Sequence, residues 1–422
     1  MKRLFKLAII LALVAAVPAF TEEIEWQPHK LPFGNESSRW NMTQVFLHSV
    51  IDSQTGKTTD MESFYQKLEE ADVILIGESH TGLHHHQVQQ KIIEALAERG
   101  NQLVIGLEMY NEQQNQKLDE YIREGATPEA FAASTGYYST WGHNLRYYMP
   151  IFAAAHRYQI PLRGVNLPSE RVKALRKAGL NGLTEAILPG ESMPDTSSSE
   201  HRFFIETMMQ GLGAQAPEMF PGIYLAQCLW DAAMAQGIVK AAEEFSNHKI
   251  IGLAGTGHVA YGLGIARLIK NRSNLKVVTV MPVDIKIKSK KKTDEHPGFA
   301  VHMGKKQGQV ESPFTIVSAG LADFLVGVPE EKNDFYPAPP FKVSEKEGKL
   351  LIGSVMPGTW AFKAGFRSGD EVIRVAGTSF KKADQLNYFL HHLNWNQQLS
   401  LTIKRNGKTI GLQKRLTIEK KS

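Results

Sequence analysis

Cysteine is all but missing from this 422-residue chain: Cys228 is the only one, which excludes an intrachain disulfide and excludes lipid attachment to a cysteine near the N-terminus. It falls in an apolar helical stretch and reads as a small core residue. A strong charge of one sign is missing too. The formal net charge is +5, and setting aside the basic residues Lys2, Arg3 and Lys6 takes it to +2, too slight an excess to argue for nucleic acid as a partner. Beyond the N-terminus there is no apolar run long enough to cross a bilayer, and no tandem repeat. With 42% hydrophobic and 22% charged residues, the composition is that of a globular protein, and the length suggests two or three domains.

Met1 to Ala19 reads as a secretory signal, with a basic start followed by the apolar stretch Leu7 to Val17 and small residues at Val17-Pro18-Ala19. The expectation is an exported, periplasmic protein that is not a lipoprotein; an uncleaved signal acting as a membrane anchor is the alternative. The basic cluster Lys286, Lys288, Lys290, Lys291 and Lys292 reads as a solvated loop, with contact to an anionic surface as the other reading.

After a polar arm over Glu22 to Arg39, a first domain spans 41–328. It alternates apolar strands (Val73 to Gly77, Leu103 to Gly106, Leu162 to Val165, Ile250 to Ala254, Val277 to Met281) with helical stretches such as His84 to Glu98 and Val259 to Lys270. This alternation predicts an α/β fold with a mainly parallel sheet, interrupted by a large helical insertion over Ser198 to Phe245. Ala322 to Val328 reads as one more strand. A charged, proline-containing linker follows at 329–340, and a small unit of short strands and Gly/Asp turns at 341–419.

Four of the strands run into residues able to bind a ligand: Glu78 and His80, Glu108, Asn166, and His258. In open α/β sheets ligands sit outside the carboxyl ends of the strands, so these residues can converge. Gly-x-x-His occurs at Gly77 to His80, Gly82 to His85 and Gly255 to His258, whereas 35 glycines and 15 histidines would give about one by chance. Placement after a strand is what singles out the first and third. Two imidazoles and two carboxylates suit a divalent ion such as Zn, Mn or Co, or general acid and base work. The bland alternative is a pair of helix-capping carboxylates and hydrogen-bonded core histidines. In the run His84 to His86, successive side chains point about 100° apart, so His84, one turn after His80, is the one expected near the site and the others face solvent. GTGHVA also fits a weak dinucleotide fingerprint, discounted because a histidine in that loop cradles no phosphate. Tyr137, Tyr138, Trp141, Tyr147 and Tyr148 are core residues or, around a large flat ligand, walls; a tyrosinate could ligate ferric iron. Asn166, Gln227 and Asp231 could line the same pocket.

GESH followed by HHHQ, GLEMY with Gln113 or Gln116, WGHN with Tyr147, RGVNLPSERV, LAQCLWDAAMA and GTGH together resemble the haem-binding uptake proteins of the ChaN type. These belong to a superfamily with the Tiki peptidases and, more distantly, the erythromycin esterases. The resemblance covers roughly Asn41 to Val328. It implies a βαβ fold with helical insertions and an envelope protein of iron uptake that binds haem, with a homodimer sandwiching two haems and tyrosine ligation, for which Tyr110 and Tyr147 are the candidates. Tiki-like relatives imply instead a metal-dependent peptidase or esterase using Glu78, His80, Glu108 and His258. IGSVMPGTWAFKAGFRSGDEVIRVAGTSF and LSLTIKRNGKTI resemble a bacterial PDZ domain, which implies a peptide or protein partner captured at a sheet edge. Its carboxylate-binding loop would fall near Ala338 to Phe341, where Pro339 and Pro340 offer no amide donor, so a structural or partner-docking role, even that of a non-catalytic scaffold, is the alternative.

Overall fold

The computed structural model describes residues 27–187, 193–210, 217–287, 313–357 and 359–418; the signal-like segment and the lysine cluster from Lys288 onward lie outside the described residues. An eight-stranded sheet organises the first domain. Its strands are β2 (Val50–Asp52), β3 (Lys57–Thr59), β4 (Val73–Glu78), β5 (Leu103–Asn111), β6 (Leu162–Asn166), β7 (Lys249–Gly255), β8 (Val277–Ile285) and β10 (Phe324–Pro329), in the order β3-β2-β10-β8-β4-β7-β5-β6. From β10 to β6 all neighbours are parallel, and β2 and β3 add an antiparallel edge. A separate ribbon pairs β1 (Met42–Phe46) with β9 (Phe314–Ser318). The alternating pattern foretold the parallel strands; β1, β2, β3 and β9 are additions, only three to five residues long.

Burial explains the central strands. Every residue of β4 and β5 is buried, as expected of parallel strands covered on both faces. Their side chains alternate between two cores: Val73, Leu75 and Val104 face the long helix Phe220–Glu244, while Ile74, Ile76 and Ile105 face helices Leu83–Glu98 and Met149–Arg157. The long helix, the expected insertion, lies so close to β6 that a Cβ on Gly237 would come within 2.7 Å of the Val165 backbone. The helix expected from Val259 to Lys270 is broken. Tyr261 and Gly262 adopt φ of 60° and 63°, leaving a one-turn helix Thr256–Val259 and a second helix Ile265–Lys270.

The C-terminal unit is an antiparallel sheet in the order β11 (Val343–Lys346), β12 (Lys349–Ile352), β13 (Glu371–Val375), β14 (Gln398–Arg405), β15 (Lys408–Arg415), with helices Trp360–Lys363 and Ala383–His391. Phe366, Leu386, Leu390 and Ile403 centre its core. The turn before β13 is tied by Asp370, whose buried carboxylate accepts two bonds from Arg405 at 2.6 Å. The segment joining the units is itself held. Glu331 accepts from the His84 N–H at 2.9 Å, and Tyr336 N–H donates to the Tyr147 hydroxyl at 3.2 Å.

Candidate functional site

Glu78 ends β4 and is buried; its Oε1 lies 2.7 Å from His80 Nδ1 and accepts the Tyr148 hydroxyl at 2.7 Å, and its Oε2 lies 2.8 Å from His86 Nδ1. Burial alone would raise its pKa, but the imidazoles of His86 and His80 outweigh that and hold it well below the usual carboxylate range. Glu108 is presented by an irregularity. β5 pairs with β6 at Leu107 and again only at Asn111, and its pairing with β7 stops at Leu107, so Glu108 sits in a bulge with its backbone released. Its Oε2 accepts from Gly255 N–H at 2.7 Å and its Oε1 lies 3.3 Å from His258 Nε2. Burial opposes its charge, yet His258 and His80 keep its pKa lowered.

Glu78, His80 and Glu108 each offer a ligand atom within 4.8 Å of the others, the group among the described residues with metal-binding geometry. His258 joins them through Glu108. Its Nδ1 is 2.6 Å from Asp231 Oδ1 and 2.9 Å from Gln227 Nε2, so both ring nitrogens are already engaged. Although burial disfavours its charge, Glu108 and Asp231 push its pKa up to about 10, making it a buried imidazolium between two carboxylates. Asp231 also lies 3.3 Å from His201.

His80 is the accessible member, its side chain 29% exposed at a cavity of about 480 Å³. Burial lowers its pKa, but its hydrogen bond to Glu78 and the Glu108 charge prevail and raise it. Trp141 meets its ring edge-on at 4.9 Å, and His143 lies 4.6 Å from it. Burial and the neighbouring His80 push His143 down to about 4, leaving a neutral imidazole on the cavity wall. Asn166 lines the cavity and donates to the Glu108 carbonyl at 3.0 Å.

The structure thus brings Glu78, His80, Glu108, His258, Asn166 and Trp141 together. Tyr110 lines the same cavity, whereas Tyr147 does not; both are buried, Tyr110 with its hydroxyl 2.8 Å from Thr135 Oγ1 and Tyr147 with its hydroxyl accepting from the Tyr336 N–H, and desolvation raises the pKa of both, Tyr147 to about 12. The histidine run is reversed from expectation. His84 turns to Glu331 at 2.8 Å, His85 is buried against Ser79 and Asp284, and His86 is the one against Glu78. Helical side chains lean toward the N-terminus, so the residue beneath Glu78 lies deeper into the helix than simple spacing from His80 suggests. His201 has no motif in the sequence to mark it, and the signal for His143 is its place in WGHN beside Trp141.

Comparison with known proteins matches residues 64–269 to the family described as "Haem-binding uptake, Tiki superfamily, ChaN", and residues 340–414 to the PDZ domain family. Both resemblances read from the sequence are therefore found, in order and over separate stretches. Among curated proteins, one described as "Putative serine protease HhoA" of Synechocystis sp. is 32% identical over 82 residues; the match spans 19% of this chain and 21% of that protein. Among solved structures, ChaN of Campylobacter jejuni, described with cofacial haem binding, is 17% identical with a TM-score of 0.48, covering 66% of this chain and 95% of that one. A mutant of the erythromycin esterase EreC in its open conformation is 14% identical with a TM-score of 0.37, covering 69% of this chain and 98% of that one.

Proposed function

We propose that the N-terminal domain binds haem or its iron at the strand-end cavity, in an exported envelope protein of iron uptake whose PDZ unit docks against another surface. The observation that carries this reading is the partly exposed His80. Its Nδ1 is held by the ionised Glu78, and Nε2 makes no hydrogen bond among the described residues. A carboxylate behind an imidazole fixes its tautomer and strengthens the opposite nitrogen as a ligand. The cavity falls within the range of small-ligand sites, about 300–1,000 Å³, and has Trp141, Trp230 and the neutral His143 on its walls. The family description matched by residues 64–269 points the same way. His80 and His143 offer ring nitrogens to this cavity, while the hydroxyls of Tyr110, on the cavity wall, and Tyr147 are each hydrogen-bonded, to Thr135 and to the Tyr336 N–H.

A second reading, a metal-dependent peptidase or esterase, is favoured by the compact Glu78–His80–Glu108 group. A bound Zn, Mn or Co ion would supply Lewis acidity and a lowered pKa for water. The chain's own part would be to hold the ion with those three residues while His258, between Glu108 and Asp231, keeps a proton in reserve. Elemental analysis of protein purified from cells, followed by hemin titration, separates the two. A saturable Soret shift is expected for the first reading; tight stoichiometric Zn or Mn without any hemin response would overturn it and leave the metal site that the second requires.

A further inference from the structure

An extended peptide added to the C-terminal unit would pair along the open edge of β11, since β12 occupies the other. Gly353 N–H donates to Lys342 O, which puts the pair Val343 and Ile352 at a non-hydrogen-bonded position of the ladder. The N–H and C=O of Val343 therefore point to the open edge. Both are taken. Asn387, buried on helix Ala383–His391, accepts the Val343 N–H at 2.9 Å and donates to the Val343 carbonyl at 2.9 Å. A side-chain amide makes the two bonds that a peptide backbone would make.

The mouth of the same groove is bridged by the first domain. Lys342, just before β11, donates to the Ser139 carbonyl at 3.1 Å, and the Ser139 hydroxyl donates to Asp384 at 2.9 Å in the first turn of helix Ala383–His391. At the far end of that helix Tyr138 stacks on His391 at 4.2 Å, and Arg146 donates to the carbonyls of His391 and Leu393 at 3.0 and 2.8 Å. Between these anchors, Thr140, Trp141 and His143 line the strand-end cavity.

We infer that the PDZ groove is closed in cis: Asn387 occupies the strand edge, and residues 138–146 of the N-terminal domain latch across the groove from Lys342 to Leu393. The C-terminal unit thereby clamps one wall of the cavity, whatever that cavity binds, and an extended peptide enters only by displacing Asn387 and loosening that wall.

Amide hydrogen exchange on the full chain tests the latch. Asn387→Ala should speed exchange at Val343 about tenfold, the effect of losing one hydrogen bond, while β14 stays protected as the sign that the unit remains folded. The double variant Ser139→Ala, Arg146→Ala changes only partly exposed contacts and should speed exchange across 137–148 by a similar factor. A Val343 amide equally fast in the unaltered protein and in Asn387→Ala, or a 137–148 segment unmoved by the double variant, would overturn the inference. So would saturable binding of fluorescein-labelled heptapeptides ending in free Val, Leu or Phe that leaves exchange at Val343 and 137–148 unchanged.

Discussion

Glu78 keeps its charge inside the protein because His80, His86 and Tyr148 surround it. Removing one partner from such a cluster strands the others in low dielectric. Tyr148→Phe should cost about 1.5–3 kcal/mol in chemical denaturation, the worth of a hydrogen bond to a charged group, without disturbing the fold. Asp231 offers a sharper case. His258, held near a pKa of about 10, stabilises the fold fully below its ordinary value of about 6.5, and that contribution fades as pH rises from there through about 10. Asp231→Asn should lower the His258 pKa, readable by NMR titration, and flatten the decline of the melting temperature across that window. An unchanged titration would show that Asp231 does not hold the proton on His258.

Elements, rather than residues, decide which side chains meet. β4, β5 and β7 are long apolar runs, so their ends were legible in the sequence, and with them the positions of Glu78, His80, Glu108 and His258. The bulge that presents Glu108 was not legible, because it depends on where pairing with β6 and β7 lapses. Nor was His86, whose contact with Glu78 depends on where the helix starts. Long-range closures, such as Tyr148 on Glu78 and Asp231 on His258, leave no periodic trace at all. The fit of helix Phe220–Glu244 on β6 is testable: Gly237→Ala would drive a Cβ against the Val165 backbone and should destabilise the first domain by about 1–3 kcal/mol in denaturant unfolding. Where the C-terminal unit meets the cavity wall, His391 on helix Ala383–His391 is pushed down to about 3 by burial and by the neighbouring His392, His143, Lys342 and Arg146, with Tyr138 stacked on its ring and no carboxylate among these neighbours. The docked histidine thus stays neutral where a released one, titrating near 6.5, takes up a proton, so docking should weaken as pH falls from about 6.5 toward 3. Exchange of 137–148 and 383–394 compared at pH 7.5 and 5, after correction for intrinsic rates, reads this directly; equal protection at both would contradict it.

On the scale of the whole molecule, two units that the sequence separates with a linker are joined by contacts on both sides of it. Composition and spacing showed the α/β sheet and the small antiparallel unit, since each has its own apolar pattern. They were silent on the clamp, since Ser139 and Asp384, or Arg146 and Leu393, are distant in the chain and ordinary in composition. The strand-end cavity consequently has two supports: the carboxylates of the parallel sheet behind His80, and a wall at Trp141 and His143 held from the other domain. On the proposed haem reading, His80 supplies the ligand atom of this cavity. Hemin titration of the unaltered protein and His80→Ala, followed by Soret absorbance with circular dichroism as the fold control, tests it most directly: saturable binding lost at least tenfold in the folded variant is the predicted result, and binding unchanged by the substitution would contradict it.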